Sequence, residues 1–220
     1  MYGFRINKNI KTMRLTIFIL STLLFSQQKY PVDSLIKSET LPVTKKIGLI
    51  PIAIWQRLSY NTDAFNCQFY PSCSNYASVS ISQFGIIKGS IVALDRVTRC
   101  NPFAHHYHLK LNRPFYEKDG RLIDTIKQKT IKSSSKNPYF AGFLSTIIPG
   151  LGRIYSGRTI EGILGMATTL MLGNSTFKNL KHQKSLTGKI LGITTIFIYG
   201  SEIYGAWRTA KYYQKNEPMT

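Results

Sequence analysis

The sequence predicts an all-α protein in which a small helical, cysteine-containing unit is followed by a transmembrane helical hairpin. Three observations predict it. Apolar residues recur at three- and four-residue steps from about Lys45 to Leu111. Three cysteines, the only ones in 220 residues, fall in two short strings of that same stretch. The C-terminal third carries two long apolar runs punctuated by glycine.

Charge narrows the partners. Twenty-nine Lys and Arg stand against ten Asp and Glu, a net charge of +19, in a chain that is 43% hydrophobic. Such a balance attracts a polyanion. No helix-turn-helix, regularly spaced zinc finger or aromatic strand motif accompanies it. The expected partner is therefore a bilayer with anionic lipids, not sequence-specific nucleic acid.

Residues 1–26 read as a signal peptide or membrane anchor. Lys8, Lys11 and Arg14 precede the apolar run Leu15–Phe25, which is shorter than the ~20 residues a spanning helix needs. Cleavage after Ser26 and a start at Met13 are both compatible with this pattern. Residues 27–44 are polar, with Pro31 and Pro42, and read as a linker.

The unit at 45–111 contains three helices. In the first, Ile47, Ile50, Ile54 and Leu58 share one face, and Pro51 either starts the helix or bends it. Ser74 is the expected N-cap of the second, with Ala77, Ile81 and Phe84 on its apolar side and Gly85 as its stop. The third runs from Ile86 to Arg99, with Ile87, Ile91 and Leu94 inward and Lys88, Asp95, Arg96 and Arg99 elsewhere. Packing the second helix on the third would carry Cys100 towards Cys67 and Cys73.

Residues 112–138 form a basic linker with a tight turn at Glu117–Gly120. The membrane domain spans 139–220. Phe140–Ile148 is apolar but short and is broken by Pro149-Gly150, and helices are expected near 160–176 and 186–207. Gly162, Gly165, Gly173, Gly188, Gly192, Gly200 and Gly205 would let those two helices approach closely in lipid; helices of a soluble bundle are the alternative, because Glu161, Lys189 and Glu202 lower the hydropathy of both runs.

Three readings of the thiols stay open at this level. A disulfide would stiffen the unit in an oxidising compartment. A metal would need Cys67, Cys73 and Cys100 with His105, His106 or His108 as fourth ligand, across a five-residue gap wider than usual. Reduced and packed, the cysteines would hold a loop against the helices. Asp63 and Asp95 are the only carboxylates of the unit, no oxyanion or glycine-turn signature flanks a thiol, and no cofactor motif is present. A non-enzymatic role follows; the alternative is an envelope membrane protein using Cys67, Cys73 and Cys100 for redox or metal binding.

The strings themselves carry a resemblance. W-Q-R-L-S (Trp55–Ser59), C-x-F-Y-P-S-C-S-x-Y-A (Cys67–Ala77), F-G-x-x-K-G (Phe84–Gly89) and R-C-N-P-F (Arg99–Phe103) resemble the YidD family, the membrane protein insertion efficiency factors. The motif residues are Cys67, Phe69, Tyr70, Pro71, Cys73, Ser74, Tyr76, Gly85, Gly89, Arg99, Cys100, Pro102 and Phe103. Ser59-Tyr60 stands where the family has a Ser-Pro pair, Asn66 and Gln68 stand where it has arginines, and Ala104–Leu109 replaces its tail. The resemblance implies a small basic protein of the bacterial inner (cell) membrane that assists a YidC-type insertase in placing nascent membrane proteins. It also implies a cytoplasmic unit, whereas a signal with its basic residues held inside would deliver that unit to the periplasm. Pro149–Gly157, P-G-L-G-x-x-Y-x-G, is similar to small bacterial membrane domains.

Overall fold

The computed structural model describes residues 30–60, 62, 67–111, 113–126, 136–183 and 186–212. The signal-like segment 1–26 lies outside the described residues. The chain divides into two compact units, Met1–Asn66 and Cys67–Thr220. Residues expected in separate domains at 45–111 and 139–220 thus share one unit from Cys67 onward.

In the first unit, α1 (Pro31–Lys37) occupies the stretch expected to be a linker. Pro31 at the first helical position is preset for the turn, and the Tyr30 amide donates to Asp33 Oδ2 at 3.3 Å. Helix α2 (Val43–Ser59) runs on through Pro51, which supplies no amide to the carbonyl one turn back. Val32, Leu49 and Ala53 are buried, and the helices are joined by the Val32 amide donating to Gln56 Oε1 at 3.2 Å and by Arg57–Asp33 at 2.9 Å. The stripe Ile47, Ile54 and Leu58 is a true helical face, but it is the outward one: Ile47 is 57% and Leu58 63% exposed. Periodicity identifies a face, not the side it takes.

The second unit opens with a two-residue strand, β1 (Phe69–Tyr70), and then α3 (Cys73–Phe84) and α4 (Ile86–Thr98). The N-cap is Ser72, two residues before the expected Ser74, and its Oγ accepts from the Asn75 amide at 3.4 Å. Gly85 alone connects the two helices, at φ +83°. A Cβ on Gly89 would lie 2.6 Å from the Ile81 Cα, so glycine there lets α4 seat against α3.

Helix α5 (Ala104–Lys110) forms where a histidine-bearing loop was expected. His105 and His106 are exposed, but His108 is buried, with Nε2 2.9 Å from the Pro114 carbonyl. After the turn at Gly120, β2 (Leu122–Ile123) pairs in parallel with β1, Phe69 opposite Leu122 and Tyr70 opposite Ile123. Among the described residues the fold is therefore helical with one short strand pair, not strictly all-α.

The remaining helices among the described residues are α6 (Pro138–Ile147), α7 (Leu151–Tyr155), α8 (Thr159–Gln183) and α9 (Leu186–Tyr212). Asn137 caps α6, its Oδ1 accepting from the Tyr139 and Phe140 amides at 2.9 and 3.2 Å. The expected transmembrane hairpin is not supported: no helix among the described residues is long and apolar enough to cross a membrane. Helices α8 and α9 have 25 and 27 residues, so length is not what fails. Glu161, Lys178 and Lys181 lie in α8, and Lys189, Glu202, Arg208 and Lys211 in α9. Several of these charges are buried and paired, an arrangement that hydropathy along the chain does not reveal.

Candidate functional site

The first candidate is the thiol cluster. Cys67 precedes β1, Cys73 is the first residue of α3, and Cys100 follows α4. Their sulfurs all lie within 4.8 Å of one another, with Cys67 and Cys73 at 3.5 Å. All three are free thiols. Phe69, Ala104 and Leu122 form the apolar floor beneath Cys67 and Cys73.

Hydrogen bonds with Cys100 and then Cys73 hold the Cys67 thiol far below its ordinary range, although burial opposes this. The reciprocal bonds, with burial, push Cys73 up, and the bond to Cys67 likewise raises Cys100. The three sulfurs are therefore tightly coupled, and Cys67 is the one that gives up its proton most readily. The Cys73 amide, 3.4 Å away, also donates to it. Beside the cluster the buried Arg96 guanidinium lies over the Phe69 and Tyr76 rings at 4.8 and 4.4 Å and donates to the Ser72 carbonyl at 3.2 Å.

Sulfurs at these separations are compatible with three corners of a tetrahedron around a soft metal. The histidines are not gathered with them among the described residues. His105 and His108 set their rings 5.4 and 5.0 Å from Phe115, and His106 lies beside Tyr107. Of the other motif residues, Tyr70 stacks on Tyr116 at 3.8 Å, Tyr76 is buried, and Pro102 and Phe103 are exposed. Replacing Cys67 by serine disturbs its contacts with the Cys73 amide and the neighbouring sulfurs and should cost about 1–3 kcal/mol. Cys100→Ser, at the exposed corner, should cost less. Urea unfolding of the two variants checks this; equal losses would mean that Cys67 is not the centre of the cluster's hydrogen bonding.

The second candidate was not legible as a site. Asp95 on α4, fully buried, accepts from Arg153 Nη2 at 2.8 Å and Arg99 Nε at 3.2 Å, with Arg208 Nη1 at 3.5 Å. Arg153 on α7, also fully buried, donates through Nε to Glu202 Oε2 of α9 at 2.9 Å and lies 3.7 Å from Glu161 of α8. Asp124, just after β2, accepts from Arg99 at 2.7 Å and Arg208 at 3.1 Å, with Arg96 and Arg113 at 3.4 and 3.6 Å.

Two glycines, Gly165 of α8 and Gly205 of α9, make room for this network. A Cβ on Gly205 would strike the Arg153 guanidinium and the Asp95 carboxylate, and one on Gly165 would strike the Glu202 carboxylate. At these two positions the expected use, close helix approach, is replaced by a polar one, whereas Gly188 does lie close to the α8 backbone at Asn179 and Leu180. The sequence signals were the i, i+4 pair Asp95/Arg99, and acids set in apolar runs whose only buried company could be arginine.

Comparison with known proteins bears on the first candidate. Residues 44–108 match the YidD family model, described as "Putative membrane protein insertion efficiency factor". A protein of that name from Aquifex aeolicus is 42% identical over 59 residues, which is 27% of this chain and 87% of that protein. The chain belongs to the YidD family. Namesakes from Thermoanaerobacter pseudethanolicus and Legionella pneumophila are 39% identical over 59 residues and 38% over 60, covering 27% of this chain and 86% and 74% of theirs. No solved structure matches. All three cysteines lie inside the YidD segment, as do Asp95, Arg96 and Arg99. Asp124, Arg153, Glu161, Glu202 and Arg208 lie beyond it. The extension thus supplies the buried counter-ions for charges of the YidD segment.

Proposed function

We propose that this chain is a non-enzymatic accessory factor at the bacterial inner membrane, assisting the insertion of proteins into the bilayer in partnership with a YidC-type insertase. Its family membership supports the role in insertion, through the names its relatives carry. What supports action at a membrane surface is the outward face of α2. Val43, Ile47, Ile54 and Leu58 form an exposed apolar stripe, with Trp55 exposed beside it and Lys45 and Lys46 in the same helix. A helix of this kind lies in the interface, its apolar side among acyl chains and its lysines against anionic headgroups. Considered separately, α6 has a comparable stripe in Tyr139, Phe143 and Ile147, and its ten residues suit the interface rather than a span.

The thiol cluster has a supporting role in this reading: it fixes the β1–α3 corner of the YidD segment. Co-sedimentation with vesicles containing phosphatidylglycerol tests the surface contact. Ile47→Asp with Leu58→Asp should weaken binding by about tenfold or more, since two exposed apolar contacts are each worth about 1 kcal/mol or more. Zwitterionic vesicles should bind the unaltered chain less well. Depletion tests the role itself: unchanged yields of inserted proteins and unchanged insertase crosslinks would refute it.

A further inference from the structure

A cavity of about 30 Å³ lies among the end of α4, α5, the residue after β2, and α9. A single water needs about 10–15 Å³ on the same measure, so the space admits a group of two or three water volumes. Four guanidinium groups line it, those of Arg99, Arg113, Arg158 and Arg208, together with Thr209 and His108. Asp124 also lines it and is already engaged by Arg99 and Arg208.

Among the described residues the guanidinium groups of Arg96, Arg99, Arg113, Arg153, Arg158 and Arg208 are connected through the carboxylates of Asp95, Asp124, Glu161 and Glu202. What marks the cavity as incomplete is an orphan donor. Arg99 is 4% exposed, and its Nη2 finds no hydrogen-bond partner among the described residues. A buried charged donor left unsatisfied is costly. Burial pulls Arg113 down to about 10, and the neighbouring Arg208, Arg99 and Arg158 add to that pull against Asp124. His108 is held below its ordinary range by burial, so it adds no fixed positive charge at neutral pH.

We infer that this cavity binds a phosphate-type oxyanion, held by Arg99, Arg113, Arg158 and Arg208 and by the Thr209 hydroxyl. Phosphate oxygens match the planar fork of arginine, and a tetrahedral anion presents acceptors to several forks at once. Two sources have this chemistry, free phosphate and the phosphomonoester headgroup of a lipid.

Calorimetric titration of the full chain decides the matter, with inorganic phosphate in one arm and a soluble short-chain phosphatidic acid in the other. Saturable binding of one equivalent in either arm is expected. Arg113→Gln should weaken it about tenfold or more, the scale of one charge-assisted hydrogen bond. Arg121→Gln, a surface residue paired with Asp119, should leave it unchanged. Thr209→Val keeps the side-chain shape while removing the hydroxyl, so it provides a measurable loss should Arg113→Gln fail to fold. Phosphate displacing the lipid identifies a shared phosphate site, and binding in the lipid arm alone identifies the headgroup. Absence of saturation in both arms would overturn the inference, as would unchanged affinity in a folded Arg113→Gln or Thr209→Val.

Discussion

Arg153→Met should lower the unfolding free energy of the Cys67–Thr220 unit by about 3–5 kcal/mol, the scale found when one partner of a buried ion pair is removed. The side chain is fully buried and its planar fork reaches Asp95 of α4 and Glu202 of α9, with Glu161 of α8 close by. Methionine fills much of the same volume, so the loss isolates the charge. Three carboxylates would be left in the interior with fewer counter-ions, which is worse than never having been buried. Arg153→Lys should recover little, because one ammonium cannot present Nε and Nη2 in two directions. Adding Glu202→Leu to Arg153→Met should recover part of the loss, since it removes one stranded charge. Urea unfolding followed by circular dichroism measures all three. A loss below about 1 kcal/mol for Arg153→Met would mean that water enters the network and screens it.

The same residues explain where sequence reasoning succeeded. Helices α3 and α4 were legible almost to the residue because local signals agree: a capping serine near Cys73, an apolar period, and Gly85 at the join. Juxtaposition of the three cysteines followed from packing those helices together. The face of α2 was legible, but its side was not, since Leu49, Ala53 and Gln56 are the residues it buries, leaving Ile47 and Leu58 outside. Pairing of β1 with β2 was invisible because two-residue strands fifty residues apart carry no period. The hairpin at the C-terminus was misread for a related reason. Glu161 and Glu202 look like polar blemishes on apolar runs until Arg153, from a different helix, is placed between them. Long-range charge pairing has no local signature, so these acids could not be matched to their partner from the sequence.

Asp124→Asn provides the second large effect, again about 3–5 kcal/mol, and carries an internal check through pH. Asparagine keeps an acceptor but withdraws the charge that Arg96, Arg99, Arg113 and Arg208 surround. Burial raises the Asp124 carboxyl, but the guanidinium groups of Arg99, Arg208 and Arg96 more than reverse this and hold it well below the usual carboxylate range. Asp95 is lowered in the same way, burial again being outweighed by Arg99, Arg153 and Arg208. The unfolded chain binds these protons near pH 4 while the folded chain does not, so their stabilisation is complete above about pH 4 and is lost as pH falls. Glu202 has the opposite sign. Burial raises it beyond what Arg153 restores, so its contribution is present below about pH 4.5 and is lost as pH rises through its folded value. Unfolding stability should therefore hold or rise slightly between pH 7 and about 5 and then fall steeply below about 4. In Asp124→Asn the acid limb should be shallower by one proton, about 1.4 kcal/mol per pH unit. A variant with the wild-type acid slope would show that Asp124 does not keep its charge on folding. The YidD segment would then hold Arg96 and Arg99 by other means.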